Sequence, residues 1–568
     1  MRRLRMTRTA LVTASTVLLA SAAAAVAMPA GAAAAGCSVN YAVSSQWQGG
    51  FGANVTITNL GDPLTSWTLT WSYSAGQTVT QWNTTLTQSG ATITARNVSY
   101  NGSIPTNGTT SFGFNGSWTS SNPAPTSFAL NGVTCTGDTT PTTSPTTSPT
   151  TSPTSPPPGG PADITVNSAT RYQTVDGFGA AVSIWGSAWS TAETQTLVGL
   201  GPNQLGLSIV RTGLSPVSSE WSTQVNALKT AKSYGSNVKI MASPWTAPAA
   251  WKTNNSRING GKLRPDYYDD YASHLNSYVQ YMRNQGVTID VTSVQNEPDW
   301  HPDYDSMDWS GTELQTFVRE QGAKVQNTKL MVAEAVNLNY SYTDPTLNDA
   351  AARNNIGYIG GHLYGTEASG RLKPYTLTQQ YNKPVWMTEW NLHEADGSGS
   401  NIWGNPSNQA VWDETLDDIM RSVHKSMESN WSAYVWWYGK RYYSFIGDGE
   451  AAYGTTAGAP LKRGYAFSQF AKYVRPGYQR VGLTKSAKVS PLEVTAYQGD
   501  GKVALVILNR STSVVNNAII QVPQNVTKAE YVATSQNANA ASQPAGVNGN
   551  QVAVNVGARS ISTVVLTL

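Results

Sequence analysis

The chain has 568 residues, only 12% of them charged, and a formal net charge of +3. That length exceeds one ordinary domain and leads us to expect two or three. Setting aside Arg2, Arg3, Arg5 and Arg8, 33 of the 37 basic residues face 34 acidic ones, a balance of about −1 that argues against nucleic acid or an anionic membrane as partner.

Residues 9 to 35, "TALVTASTVLLASAAAAVAMPAGAAAA", follow those arginines as an apolar, small-residue stretch. A basic start, an apolar run and alanines at −3 and −1 read as a secretory signal peptide over 1–35, cleaved after Ala35, and imply an extracellular protein. A membrane anchor is the alternative, disfavoured by the alanine content and by Pro29.

Residues 36–135 alternate apolar and polar positions in short runs ("ANVTITNL", "SWTLTWSY", "ATITARNV", "TSFALNGV") broken by turn residues. This is the pattern of an antiparallel β-sandwich. Cys37 and Cys135 are the only cysteines, and an even count in a secreted chain suggests one disulfide closing this domain. Nearly uncharged and rich in tryptophan, the segment reads as a binding module rather than an enzyme. Over the whole chain 19 Trp and 27 Tyr outnumber 9 Phe. Aromatic rings with a polar edge suit sugars, although many must simply build the core.

From "CSVNYAVSSQWQGGFGANVTITNLG" through "FGFNGSW" to "SFALNGVTC", the segment resembles a family 2 carbohydrate-binding module along its whole length. The resemblance implies three exposed aromatics that stack on a flat polysaccharide, cellulose or xylan: Trp47, Trp82 and Tyr100. A Trp is usual at the third position in cellulose binders, and Tyr100 stands there instead. Trp67, Trp71 and Trp118 are expected in the core or at its edge.

Residues 136–162 form a Pro/Thr/Ser repeat with no apolar face, an extended spacer between two units. Beyond it, strand-like runs at 177–185, 205–211, 238–245, 289–297, 329–335, 357–365, 384–390 and 432–438 alternate with helical patterns such as 265–286 and 408–429. Eight strand–helix units over 176–475 predict an α/β protein, a (β/α)8 TIM barrel whose active site lies at the C-terminal strand ends. Period-two runs over 476–568, with 163–175, predict an appended β side domain. The stretch 164–175 is placed next to the first barrel strand, with which it could pair.

Two carboxylates end barrel strands: Glu297 in "VQNEP" on strand four and Glu389 in "WMTEW" on strand seven. A lone strand-end Glu is usually a cap or an ion-pair partner; two of them on one barrel face read instead as a catalytic pair. Glycoside cleavage needs one protonated and one ionised carboxyl. Asn296 beside Glu297 can reach a sugar hydroxyl. No HExxH, paired CxxC or GxSxG occurs, so neither a metal, a cofactor nor a serine nucleophile is expected. His362 could approach the site, but a satisfied structural histidine is the expected reading. The chain is expected to act as a monomer on polysaccharide.

This constellation resembles the retaining (β/α)8 glycosidases. With "DGFGAAVS", "VRTGLSP", "ASPWTAPAAWK" and "HLYG", residues 164–568 resemble glycoside hydrolase family 30. The resemblance implies Glu297 as acid/base, Glu389 as nucleophile about 5–5.5 Å away, and Arg211, Trp245 and Tyr364 lining the site. In "YVWWYGKRYY", residues 434–443, Trp437, Tyr438, Arg441 and Tyr443 match the clamp by which subfamily 8 glucuronoxylanases hold the methylglucuronate branch. A guanidinium can grip a carboxylate that neutral sugars lack. Where that subfamily places Tyr and Ser after the nucleophile, this chain has Asn391 and Glu394. Arg441 could alternatively pair with Asp448. The expected activity is a glucuronoxylan endo-β-1,4-xylanase directed by the branch. A branch-independent xylanase, another family 30 endo-glycanase such as a β-1,6-glucanase or β-1,6-galactanase, and a non-catalytic polysaccharide-binding protein are the alternatives.

Overall fold

The computed structural model describes residues 36–47, 49–81, 85–98, 101–106, 108–119, 121–135, 141–142, 159–186, 188–395 and 400–568. The expected signal peptide, most of the expected linker, Trp82, Tyr100 and the side chain of Trp47 lie outside the described residues.

In the first unit two five-stranded sheets enclose one core. The first runs in the order Pro141–Thr142, Cys37–Trp47, Gly50–Asn59, Thr109–Ser117, Thr78–Gln81; the second, Thr85–Ser89, Thr92–Arg96, Thr68–Ser72, Phe128–Leu130, Val133–Thr134. Alternation sends Val55, Ile57, Phe112 and Phe114 from one sheet and Leu69, Trp71, Ile93 and Phe128 from the other into the same interior. Trp67 and Trp71 are buried, and Trp118 packs at the edge with its indole N–H on the Gly50 carbonyl. A Cys37–Cys135 disulfide joins the two ends of the sandwich.

The second unit is a closed barrel of eight parallel strands: β1 Gly177–Ala181, β2 Ile209–Leu214, β3 Lys239–Pro244, β4 Val291–Ser293, β5 Lys329–Ala335, β6 Ile356–His362, β7 Val385–Glu389 and β8 Ala433–Tyr438. Buried on both faces, these strands read as nearly continuous apolar runs. Inside, Ile209, Met241, Val291, Met331, Trp386 and Val435 form a cluster of their own. Helices start at clear signals: Ser190 and Glu193 make a capping box on α1, Thr191–Val198. The helix expected over 408–429 is two helices, Gln409–Glu414 and Arg421–Glu428, joined by a π turn at Thr415–Met420. At that junction the buried Arg463 binds both Glu414 and Thr415.

A ten-stranded sheet carries the chain ends of this unit. The pairing expected for 164–175 is corrected. Ile164–Thr174 pairs antiparallel with Gln479–Lys485 and parallel with Val515–Gln521, while β1 has β2 and β8 on its two edges. The period-two pattern explains this: Ile164 and Val166 enter the side-sheet core with Val481 and Ile520, which leaves a polar face that a barrel strand could not bury.

Candidate active site

Every residue of β7 is buried, and its last, Glu389, stands at the C-terminal end of the barrel. Arg211 on β2, completely buried, donates from Nη1 to Glu389 Oε2 (2.6 Å), from Nη2 to Asn296 Oδ1 (2.5 Å) and Glu334 Oε1 (3.0 Å), and from Nε to Ser243 Oγ (3.2 Å). Tyr364, just past β6, donates to Glu389 Oε1 (3.2 Å) and receives the Asn391 amide (2.9 Å). Both oxygens of Glu389 therefore carry a donor.

Glu297 does not close β4, as the sequence had suggested. The strand stops at Ser293, and Glu297 lies four residues on, in the left-handed region with φ of 46°. Such a backbone is strained for a non-glycine residue and is held by its neighbours. Here Asn296 N–H donates to the Pro244 carbonyl and Glu297 N–H to that of Glu334, stitching the turn to β3 and β5. Glu334, on β5, is also left-handed, at φ of 53°.

His362, for which a structural role was expected and the site was the alternative, lies in the site. It ends β6, is completely buried, and its Nδ1 lies 2.9 Å from Glu297 Oε1, with Nε2 3.6 Å from Glu334 and 3.9 Å from Glu389. Glu334 was missed altogether. The one hint was a carboxylate inside the otherwise apolar run "KLMVAEA".

One ligand atom each from Glu297, His362 and Glu389 lies within 4.8 Å of the others. Burial pushes the Glu389 carboxyl up, against the pull of His362 and Arg211. Burial also opposes the His362 cation, yet Glu389, Glu297 and Glu334 raise it to about 10. Glu334, despite its burial, is held at about 2 by Arg211 and His362. Burial and Glu389 lift the Tyr364 phenol well above its ordinary value, so it is a neutral donor. With Arg211 and His362 both charged, the trio is poorly suited to a metal cation. Two cations face three carboxyls, and a single proton on one carboxyl balances the cluster.

A wall of aromatic rings borders the pair. Trp245 lies 4.9 Å over the Arg211 guanidinium and Trp437 5.8 Å from it, with the two indoles 6.0 Å apart. Tyr438 stacks on Trp437 (4.2 Å). Tyr443 is buried, stacks on His393 (4.5 Å), and Arg441 and Glu389 both act on its phenol. Gly439 must be small: a Cβ there would come within 2.6 Å of the Trp189 ring.

The two cations of this loop differ. Lys440 is bonded to Glu193 of α1 (2.7 Å). Arg441 is 48% exposed, with Asp448 and Glu450 oxygens at 3.8 and 4.0 Å, beyond hydrogen-bond reach. Asp448 instead accepts the Tyr442 N–H and the Thr455 hydroxyl. Glu394 is exposed, and its N–H is anchored on Glu414. Asn296 has turned its oxygen to Arg211, which leaves its Nδ2 to donate to a sugar.

A closed parallel barrel with two buried glutamates converging at its C-terminal face defines the (β/α)8 glycosidase class. The family model "Glycosyl hydrolase family 30 TIM-barrel domain" matches residues 214–437, and "Cellulose binding domain" matches residues 37–135. Glucuronoxylanase XynC of Bacillus subtilis (strain 168) is 33% identical over 415 residues, 71% of this chain and 92% of the relative. The glycoside hydrolase family 30 subfamily 8 xylanase Xyn30A of Clostridium acetobutylicum aligns at a TM-score of 0.61 and 30% identity, covering 72% of this chain and 100% of that one. Endoglucanase CelA of Streptomyces lividans is 51% identical over 118 residues, 20% of this chain and 26% of the relative. The chain belongs to glycoside hydrolase family 30 and carries an N-terminal family 2 carbohydrate-binding module. Among the described residues, no helix is long and apolar enough to cross a membrane.

Proposed function

We propose that this is a secreted, retaining endo-β-1,4-xylanase of the glucuronoarabinoxylan type, acting on glucuronoxylan. Its module would hold it to plant cell wall cellulose or xylan through Trp47, Trp82 and Tyr100. The observation that carries the reading is the pairing of Glu297 and Glu389 oxygens within 4.8 Å, with two donors fixed on Glu389 alone. Such closeness leaves no room for the intervening water that an inverting enzyme activates.

In this mechanism Glu389 attacks the anomeric carbon while Glu297 gives its proton to the leaving oxygen. Glu297 then takes a proton from the water that releases the sugar. The Arg211 and Tyr364 donors on Glu389 work against the upward push of burial on its carboxyl and fix its orientation for attack. Trp245 and Trp437 offer faces to the xylose rings, and Asn296 Nδ2 a donor. Arg441, with Tyr438 and Tyr443, would receive the uronate branch, its guanidinium being loosely held and half exposed.

A branch-independent xylanase is the second reading, and two contacts and one charge favour it: Lys440 is engaged by Glu193, Asn391 by Tyr364, and the exposed Glu394 brings a carboxylate to the loop after β7. Hydrolysis of glucuronoxylan and of arabinose-decorated xylan by the wild type and Glu389→Gln tests both. Retained activity in Glu389→Gln would rule out the catalytic assignment. Equal wild-type rates on the two polymers would remove Arg441 from specificity, and products each bearing one uronate at a fixed position would support it.

A further inference from the structure

A cavity of about 520 Å³ lies at the N-terminal end of the barrel, opposite the face that carries Glu297 and Glu389. It is lined by the end of the side-sheet strand Ile164–Thr174 and by residues that lead into β1, β7 and β8. Tyr172, 41% exposed, stands in this lining. The Arg480 guanidinium lies 3.8 Å over its ring. Arg480 is itself held by Gln173 Oε1 (3.0 Å) and Asn430 Oδ1 (2.7 Å), and Gln173 Nε2 donates to the Met427 and Trp431 carbonyls (2.7 and 3.0 Å). One face of the ring is therefore braced by two tiers of hydrogen bonds, and its exposed remainder borders the cavity. A ring ordered before a ligand arrives loses less entropy on binding; core packing has no need of such bracing at the surface.

The charge of the lining is unbalanced. Arg171 donates to Gln479 Oε1 (2.9 Å) and Lys383 to the Ile356 carbonyl (2.7 Å), and among the described residues neither has a carboxylate partner. Asp176, the one acid of the lining, is engaged by Lys239 and by the Trp386 indole N–H (2.9 Å). Burial, with Arg353 and Lys329, lowers the Lys383 pKa, as happens where cations gather without a counter-charge. Gln379 and Asn382 add exposed amides. An aromatic face beside unbalanced cations and amides is the chemistry of an acidic sugar: the ring stacks, the carboxylate pairs and the hydroxyls find amides.

We propose that this cavity is a second, non-catalytic binding site for a uronate sugar, which lies on Tyr172 and turns its carboxylate to Arg171 and Lys383. The inference goes beyond the xylanase reading, since the site stands outside the cleft and takes no part in cleavage. The uronate belongs either to the glucuronate branch of xylan or to a galacturonate chain of the same cell wall.

The test is calorimetric titration of the full-length Glu389→Gln protein, alone, with Tyr172→Ala, with Arg171→Gln and Lys383→Gln together, and with Arg441→Ala. The ligands are a uronate-branched xylo-oligosaccharide, the linear xylo-oligosaccharide of the same length and an oligogalacturonate. All variants carry the same binding module, so differences report the cavity. Tyr172→Ala and the Arg171/Lys383 pair are each expected to weaken one uronate-dependent component about tenfold, about 1.4 kcal/mol, and to leave the linear chain unchanged. Whatever Arg441→Ala removes should be a separate component. A loss seen with the branched xylan ligand assigns the xylan branch, and one seen with oligogalacturonate assigns the galacturonate chain. An equal fall for the linear chain, the same component lost in Arg441→Ala, or no fall for either uronate ligand would overturn the proposal. Tyr172 and Arg171 are exposed, so Tyr172→Ala keeps the fold if the variant at Lys383 does not. Failure of the xylanase reading is distinct: it is a wild type that leaves xylan uncut whatever this cavity binds.

Discussion

Arg211 and Arg441 are two guanidiniums of one barrel, held in opposite ways. Arg211 is wholly buried and bonds Ser243, Asn296, Glu334 and Glu389. Arg441 is half exposed on the loop after β8, with its nearest carboxylate oxygens at 3.8 and 4.0 Å. A buried cation is tolerable only where partners replace all its lost water, so Arg211 and its partners form a unit from which nothing can be removed cheaply. Arg441 has lost little water, and in the proposed reading it receives a ligand's carboxylate. In that reading the chemistry is held by a buried network on strand ends and the turns just beyond them, and charge for selection sits on an exposed loop.

The largest effect is expected from removing the buried cation. Arg211→Met leaves His362 as the one cation facing Glu334 and Glu389 among the described residues. We expect a stability loss of about 3–5 kcal/mol in urea unfolding and xylan hydrolysis lowered at least about a hundredfold. A variant as stable as the wild type would mean that the network is not a unit. Glu334→Gln keeps the shape but weakens the hold on Arg211 and His362. A fall of kcat by about ten- to a hundredfold with little change in KM, and an altered pH–rate profile, would mark a positioning role. A matched loss in KM alone would contradict it.

Next comes pH. His362 is raised to about 10 from an ordinary value near 6.5. Its stabilising contribution is therefore complete below about pH 6.5 and lost as pH climbs towards 10. Glu334 lies at about 2 instead of 4.5, so its contribution holds above pH 4.5 and is lost as pH falls towards 2. Unfolding free energy measured across pH should fall on both sides of the range between 4.5 and 6.5. His362→Gln should flatten the alkaline limb alone; an unchanged limb would place its origin elsewhere.

The smallest effect on the fold is expected at the rim. Arg441→Ala should alter stability by less than about 0.5 kcal/mol while lowering kcat/KM on glucuronoxylan about tenfold or more and leaving undecorated xylan untouched. Equal losses on both polymers would assign Arg441 to the general cleft.

The parts legible in the sequence follow from the same division. Eight apolar runs between helical patterns revealed the barrel because each strand is buried on both faces. Glu389 was legible because it ends a regular strand. Glu297 was found but misplaced, since its turn depends on backbone bonds to Pro244 and Glu334 rather than on strand periodicity. Glu334 was hidden because a left-handed residue breaks the alternation that assigns strand faces. His362 looked structural because burial is visible in a pattern and a partner is not. The partner of Lys440 was not legible, because Glu193 belongs to a helix capping box far earlier in the chain.

The closeness of Glu297 and Glu389 is the centre of the account, and the stereochemistry of the first product tests it most directly. Proton NMR of a xylan digest in its first minutes should show the β-anomer of the new reducing end, with the α-anomer growing in only by mutarotation. Initial release of the α-anomer would contradict the account.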